Sequence, residues 1–207
     1  MEDQIQKAGI ACHGRDVIPG IDELNPNRIA KGILGESYTG VLVEPELIVD
    51  RPPALCAGCP HRGFFYELAK RKDTVMVGDI GCYALGGSEP LNAKDMALCM
   101  GSAFSLGHGL VRAFSQSGQA KRVVAVMGDS TFFHTGINAL TEVSYNKSNT
   151  ICVILDNRIT GMTGHQENPG TGYTIKGEPT TTIDVEQVVQ ALASTMFVRS
   201  IRTIYPI

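Results

Sequence analysis

At 207 residues the chain has room for one substantial domain and a short appendage. Its hydrophobic share of 43% suits a packed globular protein. A net charge of −3 without clustered Lys and Arg excludes a nucleic-acid footprint or a basic membrane patch. The apolar runs are of strand length, far short of the roughly 20 residues of a membrane span, and the opening M-E-D-Q-I-Q-K is no secretory signal. A cytoplasmic setting is expected, with neither nucleic acid nor membrane as partner.

Residues 1–50 read as a linker or the tail of a preceding domain. Asn25 is placed to cap a short helix with Pro26 at its first position. An extended piece, V-L-V-E-P-E-L-I-V-D, leads to a Pro52-Pro53 break, and residues 51–207 form the main domain. There a helix over 63–71 precedes the strand T-V-M-V-G and a loop holding Gly78, Gly81, Gly86 and Gly87. A helix over 101–115 follows, with Phe104, Leu110, Val111 and Phe114 at helical spacing. Strand 122–127, helix 134–146 and strand 150–155 make a β-α-β unit, and a helix over 184–193, capped by Asp184, precedes a strand at 197–203. Strands separated by helices of this length predict an α/β fold with a doubly wound, mostly parallel sheet.

Two strand ends carry the chemistry. V-V-A-V-M ends in Gly128-Asp129-Ser130, and I-C-V-I-L ends in Asp156-Asn157. Asp129 and Asn157 lie 28 residues apart, about one crossover, which brings their oxygens to neighbouring strand ends in the crevice where open α/β sheets bind ligands. Gly128 allows close backbone approach, Asp129 offers a charged oxygen to a hard cation, and the next helix turns free N–H groups toward a phosphate. Gly-Asp-Ser alone is equally consistent with a turn and an N-cap. The companion D-N and the 27-residue stretch 156–182, too long for a plain connection, favour a magnesium diphosphate site.

Six cysteines without an export signal do not suggest a disulfide scaffold. Cys56 and Cys59 form a C-x-x-C suited to metal or redox chemistry, and Cys82 follows in G-D-I-G-C-Y. Cys99 and Cys152 lie in apolar stretches and are expected to pack, while Cys12 stands alone.

The pairing of G-D-S with L-D-N resembles the thiamine-diphosphate motif. C-A-G-C-P-H-R, G-D-I-G-C-Y, G-D-S-T-F-F-H and D-N-R-I-T-G-M-T-G-H-Q, in that order, resemble the indolepyruvate ferredoxin oxidoreductase alpha subunit in its diphosphate-binding domain, over about residues 50–207. That likeness implies a thiamine-diphosphate-binding fold. Asp129, the Asn157 side chain and the Ile159 carbonyl would hold Mg²⁺; Gly128 and Ser130 would contact the diphosphate. Cys82, Thr163, Gly164, His165 and Gln166 would lie near cofactor and substrate, with His165 and Thr163 as catalytic candidates. The implied reaction is oxidative decarboxylation of a 2-oxoacid, an aryl pyruvate such as indolepyruvate, to an acyl-CoA, with coenzyme A as cosubstrate and ferredoxin as electron acceptor.

The same resemblance implies partners. Cofactor activation in such enzymes uses a glutamate from a pyrimidine-binding domain, and 207 residues do not contain one. The chain is therefore expected to be a split subunit or an excised piece, truncated at its C-terminus, that works with that domain and a beta subunit, in a homodimer. Cys56, Cys59 and Cys82 fit three positions of a [4Fe–4S] site, whose fourth ligand would lie beyond Ile207; thiols that line the site without metal, or a zinc site, are the alternatives. His61 fits either the pocket or a structural hydrogen bond; His108 and His134 fit packing. Competing readings are a subunit of a non-oxidative thiamine-diphosphate decarboxylase and a non-catalytic fragment that keeps the fold.

Overall fold

The computed structural model describes residues 2–18, 21, 25–36 and 44–192. Its contacts divide the chain into two units, 1–51 and 52–207. In the first, α1 (Glu2–Lys7) is followed by α2 (Pro26–Leu34). Asn25 Oδ1 accepts from the Arg28 amide at 3.0 Å, Pro26 opens the helix and Gly35, at φ 71°, closes it. Where the sequence predicts an extended piece, Pro45–Leu47 forms a single 3₁₀ turn, because Pro45 fixes a turn-compatible φ; residues 41–43 lie outside the described ones.

In the second unit, β1 (Thr74–Gly78), β2 (Arg122–Gly128) and β3 (Ile151–Leu155) form a parallel sheet in that order. The register sets Val75 opposite Val123, and Gly128 opposite Leu155. Side chains alternate across a strand, so β2 feeds two cores. Val123, Ala125 and Met127 pack with Phe104, Phe132, Leu140 and Val143 on one face; Val124 and Val126 pack with Leu55, Phe65, Met76 and Tyr83 on the other. Because both faces are covered, the strand reads as an unbroken apolar run.

The crossovers α4 (Ala103–Gln116) and α6 (Ile137–Tyr145) cover the first face, with α7 (Val185–Leu192) against the same core through Val185, Val188, Val189 and Leu192. α3 (His61–Ala69) covers the other through Phe65. Fully burying a side chain such as Phe65 or Phe104 contributes on the order of 2–3 kcal/mol. Gly107 lets α4 lie close on the sheet: a Cβ there would meet Ala125 Cβ at 3.0 Å and Thr150 Cγ2 at 2.8 Å.

The helix after β2 starts earlier than the sequence suggests. Helical backbone begins at Asp129, as α5 (Asp129–Thr131), widens into a π turn over Phe132–Gly136 and continues as α6. The π turn interrupts the 3.6-residue period, so the helical pattern becomes readable only after it. Asp184 Oδ1 caps α7 by accepting from the Gln187 amide at 3.0 Å. The expected strand at 197–203 lies outside the described residues. No helix among the described residues is long and apolar enough to cross a membrane.

Candidate functional site

The Gly128–Leu155 register sets Asp129 and Asp156 just beyond two adjoining strand ends. Asp129 is only 1% exposed. Its Oδ2 accepts from Asn168 Nδ2 at 2.9 Å, while its buried Oδ1 has no hydrogen-bond partner. Burial pushes the carboxyl above its usual range; the Asn168 bond opposes this, neighbouring Asp156 adds to it, and the Ser130 and Asp129 amides favour the charged form. A buried carboxylate with an unsatisfied oxygen is costly. A hard cation satisfies that oxygen and offsets both acids, so the residues present fit a bound Mg²⁺.

Tyr83 closes the floor of the site. Its ring fills the space a Cβ on Gly128 would occupy, and its hydroxyl donates to the Leu155 carbonyl at 3.2 Å. Burial first, then Asp129, drives the phenol pKa far up, so it remains a proton donor. The His61 ring lies 5.4 Å from the Tyr83 ring; burial lowers the imidazole pKa, Asp156 opposes this, and Nε2 is buried without a partner. At the end of β1, fully buried Asp79 accepts from the Gly101 amide at 2.9 Å and the Ala103 amide at 3.2 Å, holding the start of α4.

The long connection after β3 folds back on this site. Asn157 is exposed and its Oδ1 accepts from the Ile159 amide at 3.3 Å, in a turn where Arg158 has φ 54°. Thr160 is the tie: its hydroxyl donates to Ser130 Oγ at 2.8 Å and its amide donates to the Gln166 carbonyl at 3.1 Å. Between them, Thr163 Oγ1 donates to Gln166 Oε1 at 2.5 Å, and Gln166 Nε2 donates to the Thr163 carbonyl at 2.6 Å. His165, exposed at φ 63°, donates its amide to the Thr160 carbonyl, with Gly164 beside it at φ 119°. Thr163, Gly164, His165 and Gln166 thus form one closed turn tethered to Ser130, while Asn157 and Ile159 stand at its root.

The cysteines give a more divided picture. Burial first, then Cys59 and Cys56, raises the Cys82 thiol, so the three lie close enough to feel one another. Cys56 is exposed, whereas Cys59 and Cys82 are half-buried. Among the described residues, no group of three or more His, Cys, Asp and Glu is arranged to hold a metal ion. Cys99 is exposed, against the packing expectation, because it lies in the turn that leads into α4. Asn168, Tyr83, Asp79 and Thr160 escape the motif reading, although Tyr83, Asp79 and Thr160 stand inside motifs that it singles out.

A parallel sheet with a buried acid just beyond a strand end offers the crevice in which open α/β sheets bind ligands, and the chain belongs to the thiamine pyrophosphate enzymes. Residues 79–204 match the family of thiamine pyrophosphate enzymes in their C-terminal TPP binding domain. Among its relatives, indolepyruvate oxidoreductase subunit IorA of Pyrococcus abyssi is 38% identical over 210 residues, covering 89% of this chain and 32% of the relative. The IorA subunit of Archaeoglobus fulgidus is 39% identical over 171 residues, covering 81% and 26%. The chain thus spans between about a quarter and a third of these relatives' length. A 2-oxoglutarate:ferredoxin oxidoreductase structure from Magnetococcus marinus, solved with 2-oxoglutarate, coenzyme A and succinyl-CoA bound, shares the fold. It superposes with a TM-score of 0.58 at 20% identity, over 71% of this chain and 54% of that one. Benzoylformate decarboxylase from Polynucleobacter necessarius shares it more loosely, with a TM-score of 0.50 at 17% identity, over 67% and 27%.

Proposed function

We propose that the chain is the thiamine-diphosphate- and Mg²⁺-binding part of a 2-oxoacid:ferredoxin oxidoreductase acting on an aryl pyruvate, with indolepyruvate the leading candidate. The observation that carries this reading is the buried Asp129 with its unpartnered Oδ1 at the end of β2. Asp129 Oδ1, the Asn157 amide oxygen and the Ile159 carbonyl would hold the cation. Gly128 and Ser130 would meet the diphosphate, the Ser130 hydroxyl donating to a phosphate oxygen while it accepts from Thr160. Tyr83 keeps water from the inner side of Gly128.

Bound there, thiamine diphosphate supplies the nucleophile and electron sink that decarboxylation of a 2-oxoacid needs. His165 and Thr163, in the turn tethered through Thr160, are the side chains assigned to the substrate's carboxylate and carbonyl. Oxidative release as an acyl-CoA brings in coenzyme A, ferredoxin, a beta subunit and a pyrimidine-binding domain in a cytoplasmic, dimeric assembly. The relatives' description as a subunit of indolepyruvate oxidoreductase supports the partner subunits and the 2-oxoacid substrate. Cys56, Cys59 and Cys82, close enough for the first two to act on the third, are the residues that would serve a [4Fe–4S] site, although among the described residues no three are arranged to hold a metal ion.

Calorimetric titration of thiamine diphosphate, with and without Mg²⁺, tests the reading. Saturable, Mg²⁺-dependent binding is expected, and Asp129→Ala should weaken it by about 100-fold, equivalent to ~2.8 kcal/mol. Unchanged affinity in that variant would remove the metal assignment. Dye reduction by the complete assembly with indolepyruvate and with 2-oxoglutarate tests the substrate class; equal rates would remove the aryl preference.

A further inference from the structure

We propose that Asn168 is a positioning residue that turns Asp129 so that a single carboxylate oxygen faces the cation, and thereby sets the site's preference for Mg²⁺ over larger ions. The inference rests on the cation reading of Asp129 given above. Asn168 is 4% exposed and reaches Asp129 across 39 residues of sequence. Its own turn fixes which way the amide points. Asn168 Oδ1 accepts from the Gly170 amide at 2.8 Å, and the Asn168 carbonyl accepts from Thr171 Oγ1 at 2.9 Å and from the Thr171 amide at 3.0 Å. With Oδ1 engaged as acceptor, only Nδ2 can face Asp129, and it donates to Oδ2 at 2.9 Å.

That bond divides the carboxylate into two unequal oxygens. Oδ2 is engaged by the amide, and Oδ1 is buried without a partner. One oxygen in a fixed direction suits Mg²⁺, which demands near-ideal octahedral geometry; Ca²⁺ accepts both oxygens of one carboxylate and irregular arrangements. The turn lies close against Phe133: a Cβ on Gly170 would meet its Cε2 at 3.1 Å. Freeing Oδ2 would let the carboxylate rotate and offer both oxygens, which harms Mg²⁺ binding and leaves Ca²⁺ binding little changed.

The test compares the natural chain with Asn168→Ala and Asn168→Ser. Serine can still cap the 168–170 turn while withdrawing the donor from Asp129, so it decides the matter if alanine perturbs the fold. Thiamine diphosphate is titrated into each protein with Mg²⁺ or with Ca²⁺ at matched concentrations, and the cation-free melting temperature reports folding. For both variants the dissociation constant with Mg²⁺ should rise by about tenfold or more, in the range seen when the partner of a metal ligand is lost. With Ca²⁺ it should change by less than about threefold, so the Mg²⁺/Ca²⁺ preference falls. Equal loss with both ions, or no loss with either, would overturn the positioning role while leaving the site assignment standing. Failure of the natural chain to bind with either ion, also when the pyrimidine-binding partner is supplied, would instead overturn the cation site itself, and this inference with it.

Discussion

Asp129 is a residue that the fold penalises and a ligand would reward. Its carboxyl is raised chiefly by burial, so in the cation-free protein its contribution is fully present below the ordinary carboxyl value of 3.8 and is lost as pH rises through the elevated folded value. Cation-free Asp129→Asn is therefore expected to melt at or above the natural chain at neutral pH, with a flatter profile as pH rises from the acid side, while losing Mg²⁺-dependent binding. A variant that melted lower at every pH would contradict this account. Thiols offer a second check at the same scale. Burial pushes Cys152 up to about 12, whereas Cys56 and Cys99 are exposed. Alkylation at pH 8 followed by mass mapping should label Cys56 and Cys99 first and Cys152 last. Asp129 is legible in the sequence because it ends an apolar run in Gly-Asp-Ser. Asn168 is not, since its partner lies 39 residues away and nothing local in N-P-G-T-G points to a carboxylate.

At the level of elements, hydrophobic period and length suffice for β1, β2, β3 and the crossover helices, because packing on both faces leaves a strong apolar signature. What the period misses are departures from it: the start of α5 at Asp129, the π turn, and the 3₁₀ segment Cys82–Gly87. Two substitutions probe how the crossover from β1 to β2 is held. Gly107→Ala would press its Cβ onto Ala125 and Thr150, and should destabilise the domain by about 1–3 kcal/mol in urea unfolding. Asp79→Ala would leave the buried amides of Gly101 and Ala103 without their acceptor, costing about 2 kcal/mol or more. An effect below about 0.5 kcal/mol for either would mean that the start of α4 is held by something else.

Across the whole molecule, the Pro52-Pro53 break coincides with the division between the two units, and α2 buries none of its residues. Residues 52–207 alone should therefore keep the melting temperature and cofactor affinity of the full chain, by calorimetry; a loss of either would show that the first unit contributes to the second. Tyr83 has a wider reach. It follows the end of β1 along the chain, and its side chain lies on Gly128 at the end of β2 and bonds to Leu155 at the end of β3, so a single residue links all three strand ends. Local opening there becomes one cooperative event rather than three. In amide hydrogen exchange, Gly78, Gly128 and Leu155 should share a single protection factor and lose it together in Tyr83→Ala, while the opposite strand ends at Thr74, Arg122 and Ile151 keep theirs. The mouth of the sheet would breathe as one body, and a cofactor resting on Gly128 would slow exchange at residues it never touches.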